Sequence, residues 1–134
     1  PYAAKANEQI AGKRAIWVND FITQMEYAYA AADIVVARSG AMTVAELCVV
    51  KKPVLFVPYP FAAEDHQTVN AMQLVNKHAA LMIKDADAPD KLVPITIDLA
   101  KDENWQGQLK NNIATLAITD ADRVIANEIL KSIK

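Results

Sequence analysis

The chain has 134 residues, a formal net charge of -2, 53% hydrophobic residues and 22% charged residues. This is the length of one domain with its own core, and the balance of an ordinary globular chain. The slight acidity and the lack of a Lys/Arg cluster exclude a nucleic-acid surface, and no run reaches the roughly 18 uncharged apolar residues of a membrane span.

Pro1 to Ile10 reads as a helix, with Pro1 suited to the first turn and Gly12 to the end. Its polar character is not that of a signal peptide. Ala15-Ile16-Trp17-Val18 reads as a short strand, and Thr23 as the cap of a helix running to about Ala31. Ile34 to Ala37 is a second strand and Thr43 to Val50 a second helix, with Lys51-Lys52 at the end where positive charge is favoured. Pro53 to Val57 is a third strand. His66 to Lys77 is a longer helix with Val69, Met72 and Val75 facing inward, and Ala80 to Ile83 is a fourth strand. Three helical patterns follow, over Pro89–Ala100, Glu103–Leu116 and Asp120–Lys131, the last with Val124, Ile125, Ile129 and Ile133 on one face. Strands alternating with helices predict a Rossmann-like α/β fold, a parallel sheet with helices on both faces.

Two strand-to-helix junctions carry chemistry. In Arg38-Ser39-Gly40-Ala41-Met42-Thr43-Val44-Ala45-Glu46, a buried strand runs into a one-glycine turn and a helix N-terminus. The first N–H groups of a helix lack partners and its dipole favours an anion, so such a turn can hold a phosphate. Glu46 lies one turn on, within reach of a sugar diol. The same Thr43-x-x-Glu46 spacing is also a capping box, and spacing alone leaves both readings open. In the second junction, Pro53 to Pro60 leads through a proline-stiffened loop to His66-Gln67 at a helix start. Neutral His and Gln carry both donors and acceptors, which suits sugar hydroxyls. Both loops fall at the C-terminal ends of strands, where open parallel sheets bind ligands.

Other candidates are weaker. Cys48 is the only cysteine, so no internal disulfide forms, and its neighbours Leu47 and Val49 suggest a packed thiol. Glu64-Asp65 are adjacent loop acids. No His/Cys/Asp/Glu set has metal-ligand spacing, so neither a metal nor a cofactor is expected.

The ordered set Phe21-Ile22 with Met25, Ala32-Asp33, Arg38-Ser39-Gly40-Ala41, Thr43, Glu46-Leu47, Pro53, Phe56-Val57-Pro58, His66-Gln67 and Asn70-Ala71 resembles the MurG family of cell-wall glycosyltransferases over residues 16 to 129. The likeness is to the family's C-terminal, donor-binding half. It implies a GT-B fold and an enzyme that transfers N-acetylglucosamine from UDP-GlcNAc to an undecaprenyl-pyrophosphate-linked muramoyl-pentapeptide (lipid I to lipid II) in peptidoglycan synthesis. By this resemblance, Ile22 meets the uracil edge through its backbone. Ala41, Met42 and Thr43 meet the diphosphate, Glu46 the ribose hydroxyls, and His66 and Gln67 the sugar. Arg38, Ser39 and Gly40 either bind phosphate or hold the turn. The family's other half, with the catalytic base, the lipid-linked acceptor site and the membrane patch, has no counterpart here. The expectation is therefore a single partial domain over residues 1–134, truncated at its N-terminus and inactive alone. The complete protein would sit peripherally on the cytoplasmic face of a bacterial inner membrane. Two alternatives remain: a non-catalytic nucleotide-sugar-binding subunit, and the donor half of another UDP-sugar enzyme such as a non-hydrolysing epimerase.

Overall fold

The computed structural model describes residues 2–133. Pro1, expected in the first helical turn, lies outside the described residues. The chain divides into two compact units that part between Ala31 and Ala32.

The first unit holds α1 (Tyr2–Ile10) and α2 (Met25–Ala31). α1 ends where Lys13 N–H donates to Ile10 O at 2.8 Å. The turn passes through Gly12 at φ 81°, a left-handed conformation that costs glycine nothing. The strand expected at Ala15–Val18 does not form. A strand needs a neighbour for its N–H and C=O groups, and the described residues of this unit include no strand to pair with. Thr23 is not the cap of α2: the helix starts at Met25, and Gln24 O accepts from the N–H groups of Tyr27 and Ala28.

The second unit is an open α/β sheet of Rossmann type. It runs β1 (Val35–Ala37), α3 (Ala41–Val50), β2 (Val54–Phe56), α4 (His66–Val75) and β3 (Leu81–Met82), then α5 (Ala88–Lys101), α6 (Glu103–Ala114) and α7 (Ala121–Ser132). The strands are parallel in the order β1-β2-β3, with Val36 opposite Leu55 and Leu55 opposite Leu81. Consecutive residues of a strand point to opposite faces. Val54, Leu55 and Phe56 of β2 are all 0% exposed, so both faces of the central strand are covered. Leu47 of α3, Leu74 of α4, Leu99 of α5 and Leu109 and Ile113 of α6 are buried and complete this core. No helix among the described residues is long and apolar enough to cross a membrane.

Three local features depart from the sequence expectation. α3 begins at Ala41, two residues early, with Gly40 as its N-cap residue. α4 turns Ala71 and Leu74 inward and leaves Val69 53% exposed, instead of burying Val69, Met72 and Val75. The inward stripe is Gln67, Asn70, Ala71 and Leu74, at helical spacing i, i+3, i+4, i+7. Its two polar members are satisfied by a neighbouring turn, so they can face the protein. α7 presents the expected apolar face, but no residue on the helix is buried.

α3 closes through Lys51, which sits in the left-handed region at φ 57° while its N–H donates to Leu47 O at 3.0 Å. A residue with a Cβ is strained there and glycine is not. Lys51→Gly is expected to raise unfolding free energy by about 0.5–1 kcal/mol in urea denaturation.

Candidate functional site

In a parallel sheet every strand runs out at the same edge, and here the loops after β1, β2 and β3 meet there. What positions them is a single bonded cluster centred on Ser39, which is 0% exposed. Ser39 N–H donates to Gln67 Oε1 at 3.2 Å, and Ser39 Oγ donates to Gln67 O at 2.7 Å. Asn70 Nδ2 donates to Ser39 O at 3.1 Å. All the polar groups of Ser39 are therefore used within the protein, and the start of α4 is fastened to the turn before α3. The Asn70 carboxamide thus reaches a partner 31 residues away, outside its own helix.

Gln67 Oε1 also accepts Tyr59 N–H, at 3.0 Å. Two backbone donors on one carboxamide oxygen fix the orientation of the amide, because its NH2 group cannot accept. Gln67 Nε2 is left facing away from both as a pure donor.

Arg38 binds the same edge from the other side. Its Nη1 donates to Val57 O and Pro58 O, each at 3.0 Å, and pairs with Asp85. Its guanidinium lies 5.7 Å from the centroid of the Tyr59 ring. Tyr59 in turn meets Phe61 edge-on at 5.7 Å. One side chain from the end of β1 thus ties together the ends of β2 and β3. Asp85 and Tyr59 were not legible from sequence as members of this edge. Asp85 lies 47 residues from Arg38 and carries no motif of its own.

The N-terminus of α3 faces the opposite situation. Gly40 supplies no side-chain cap, and the first N–H accepted inside the helix is that of Val44, by Gly40 O at 3.0 Å. The N–H groups of Ala41, Met42 and Thr43 precede it and have no acceptor among the described residues, as the first turn of a helix dictates. The capping-box reading of Thr43-x-x-Glu46 fails here, since Thr43 is the third residue of the helix and not its cap. Glu46 is exposed one turn further along, on the side of α3 shared with Met42 and Thr43. Gly40 itself has φ -61°, and a Cβ there would meet nothing nearer than Thr43 Oγ1 at 4.0 Å. The fold does not require glycine at this position; an approaching ligand would.

His66 opens α4 and is exposed. Just before it, Glu64 and Asp65 both adopt left-handed backbone, at φ 49° and 55°. Asp65 Oδ1 accepts the Thr68 hydroxyl at 2.7 Å.

Ile22 belongs to the first unit. It lines a small cavity of ≈ 340 Å³ there, together with Trp17, Asn19 and Tyr27. Its backbone N–H and C=O have no hydrogen-bond partner among the described residues.

A groove of ≈ 390 Å³ runs along α3 and α4 with Cys48 and Leu74 on its wall, meeting the site at Ala41 and Asn70. Burial pushes the Cys48 thiol above its usual pKa, and the Lys77 ammonium opposes this only in part. The thiolate is the reactive form. Cys48 is therefore expected to react slowly with an aromatic disulfide reagent at pH 7.5 in the native chain and fast in urea; equal rates would mean that the α3 face opens. Among the described residues no group of three His, Cys, Asp or Glu could hold a metal ion.

Residues 2–127 match the Glycosyltransferase family 28 C-terminal domain. The chain is 48% identical over 116 residues to the UDP-N-acetylglucosamine–N-acetylmuramyl-(pentapeptide) pyrophosphoryl-undecaprenol N-acetylglucosamine transferase of Bacteroides fragilis, covering 87% of this chain and 30% of that protein. The enzyme of the same name from Parabacteroides distasonis is 47% identical over 135 residues, covering 98% of this chain and 36% of the relative. The crystal structure of Acinetobacter baumannii MurG superposes with a TM-score of 0.83 at 26% identity, covering 95% of this chain and 38% of that one. The chain thus spans about a third of the length of the relatives it matches.

Proposed function

The chain belongs to the glycosyltransferase family 28 C-terminal domain family, and on that premise we propose that it is the donor-binding half of an inverting N-acetylglucosaminyltransferase. The donor is UDP-GlcNAc and the acceptor a lipid-linked, pyrophosphoryl N-acetylmuramyl-pentapeptide, the chemistry contained in the relatives' names. The observation that carries this reading is the N-terminus of α3. Three N–H groups stand uncapped at the end of β1, behind a glycine that the fold does not need.

The donor diphosphate accepts from the N–H groups of Ala41, Met42 and Thr43. Glu46 takes the ribose hydroxyls, and Gln67 Nε2, aided by His66, donates to the sugar. The peptide edge of Ile22 reads the uracil. In the reaction an acceptor hydroxyl oxygen bonds to the anomeric carbon as the bond to the diphosphate breaks. The electron pair leaves with UDP, and the hydroxyl proton goes to a base in the other half of the enzyme. Negative charge grows on the diphosphate, and N–H donors already fixed in place stabilise it without reorganisation. Lipid-linked acceptor and membrane contact belong to the other half as well, so this chain alone is inactive.

Calorimetric titration with UDP and UDP-GlcNAc, with GDP as control, tests the reading. Uracil-selective binding supports it, and equal binding of GDP defeats it. Gly40→Ser sharpens the test. Serine is a good N-cap, so stability should hold or rise slightly. Its hydroxyl occupies the anion's place, so the dissociation constant for UDP should rise about tenfold. A variant that loses stability and keeps its affinity would assign Gly40 to the fold.

A further inference from the structure

At the exit of β3, the Asp85 side chain bonds to none of the residues assigned to the donor, yet it heads a line of contacts that ends on one of them. We propose that Asp85 is a positioning residue: through Arg38 and the Pro58–Pro60 loop it sets the amide of Gln67, and with it the preference for a donor that carries its sugar. The inference rests on the donor-half reading above.

The loop after β2 is poor in donors of its own. Pro58 and Pro60 have no N–H, so the backbone on either side of Tyr59 cannot be fixed by donating. It is fixed by its carbonyls instead. Arg38 Nη1 donates to Val57 O and Pro58 O, each at 3.0 Å, and the guanidinium lies 5.7 Å from the centroid of the Tyr59 ring. The Tyr59 N–H between the two prolines is thereby placed on Gln67 Oε1, at 3.0 Å. The other donor to that oxygen, Ser39 N–H, belongs to a fully buried residue on a different turn. Of the two donors that orient the carboxamide, Tyr59 N–H is therefore the one whose place follows that of Arg38.

What holds Arg38 is Asp85. Nη1 carries two hydrogens and faces three oxygens: two carbonyls and Asp85 Oδ1. The carboxylate is the only charged acceptor of the three and makes the strongest bond. Asp85 has a firm base, since it opens the short 3-10 turn Asp85–Asp87 ahead of α5 and its C=O accepts the N–H of Ala88. The Arg38 and Asp85 side chains are 50% and 36% exposed, so the pair adds little to stability. Its effect is on direction. Without the carboxylate the guanidinium turns to water, and the carbonyls of Val57 and Pro58 lose a fixed donor. Gln67 then keeps Ser39 N–H alone, and Nε2 no longer points one way.

The test is Asp85→Ala, with Asp85→Asn beside it because asparagine keeps an acceptor oxygen for Arg38. In nitrogen-15 NMR of the free chain, Asp85→Ala should shift the Tyr59 amide and the Gln67 side-chain NH2 pair, and Asp85→Asn should shift them much less. Calorimetry should show UDP-GlcNAc weakened about fivefold in Asp85→Ala with UDP unchanged, the effect of one misdirected hydrogen bond. In Gln67→Glu, which already lacks the Nε2 donor, adding Asp85→Ala should cost no further affinity. Gln67 signals that stay in place overturn the proposal. So does an equal weakening of UDP and UDP-GlcNAc, which is a general loosening of the sheet edge. A further loss on top of Gln67→Glu overturns it as well, since Asp85 then acts by another route. A parent chain that binds neither ligand defeats the donor reading, a separate result, and the Gln67 signals of the free chain still decide whether Asp85 sets that amide.

Discussion

Gln67→Glu is expected to melt close to the parent chain and yet to lose its preference for UDP-GlcNAc over UDP. The carboxamide oxygen that accepts Ser39 N–H at 3.2 Å and Tyr59 N–H at 3.0 Å is replaced by a carboxylate oxygen that accepts both at least as well. The change falls entirely on the other arm. There an N–H donor becomes a negatively charged acceptor, which on the proposed donor-site reading faces a sugar hydroxyl beside a diphosphate. Loss of the donor and the new repulsion should weaken UDP-GlcNAc about tenfold or more, with UDP much less affected. Gln67→Leu gives the opposite pattern. It orphans the buried N–H of Ser39 and should cost about 1–3 kcal/mol of stability. Chemical denaturation of both variants, alongside calorimetry with UDP and UDP-GlcNAc, separates the arms. If Gln67→Glu unfolds early and binds both ligands like the parent, Gln67 is a fastening and nothing more.

That one side chain can serve both purposes explains what the sequence did and did not disclose. The order of strands and helices was readable because each depends on contacts a few residues apart: apolar runs for β1 and β2, proline for the loop after β2, helical spacing in α5 and α6. Ala15–Val18 misled because four residues with strand character make no strand without a partner, and pairing is not local information. The start of α3 misled for a related reason. Thr43-x-x-Glu46 has cap spacing, but the chain leaves β1 through Ser39, whose groups are all taken by α4, and the helix must begin directly after Gly40. Arg38 illustrates the limit. Its identity suggested either phosphate or structure, and only the positions of Val57, Pro58 and Asp85 show it holding three strand ends together. The candidate ligand residues were legible as residue types at loop ends. The fastenings that aim them lie 8 to 47 residues apart and were not.

Glu46 gives the most direct test of what the α3 turn is for, because the structure separates two roles that the sequence fused. With Gly40 at the cap position, Glu46 is six residues into the helix and cannot reach back to close a capping box. Glu46→Ala therefore removes no cap from a helix in which alanine is the stronger helix former, and it should weaken binding more than it lowers stability. Binding should change a great deal. A carboxylate accepting hydroxyls of a ribose diol makes charge-assisted hydrogen bonds, and their loss should raise the dissociation constant for UDP about tenfold to a hundredfold. The decisive comparison uses 2′-deoxy-UDP. The parent chain should bind it more weakly than UDP, having lost one hydroxyl to hold, whereas Glu46→Ala should bind the two alike. That pairing is a double-mutant cycle with one partner on the ligand, so it reads the contact itself and not a general loosening of the helix. If the deoxy penalty survives in Glu46→Ala, another group holds the ribose, and the α3 turn binds the diphosphate without reading the sugar attached to it.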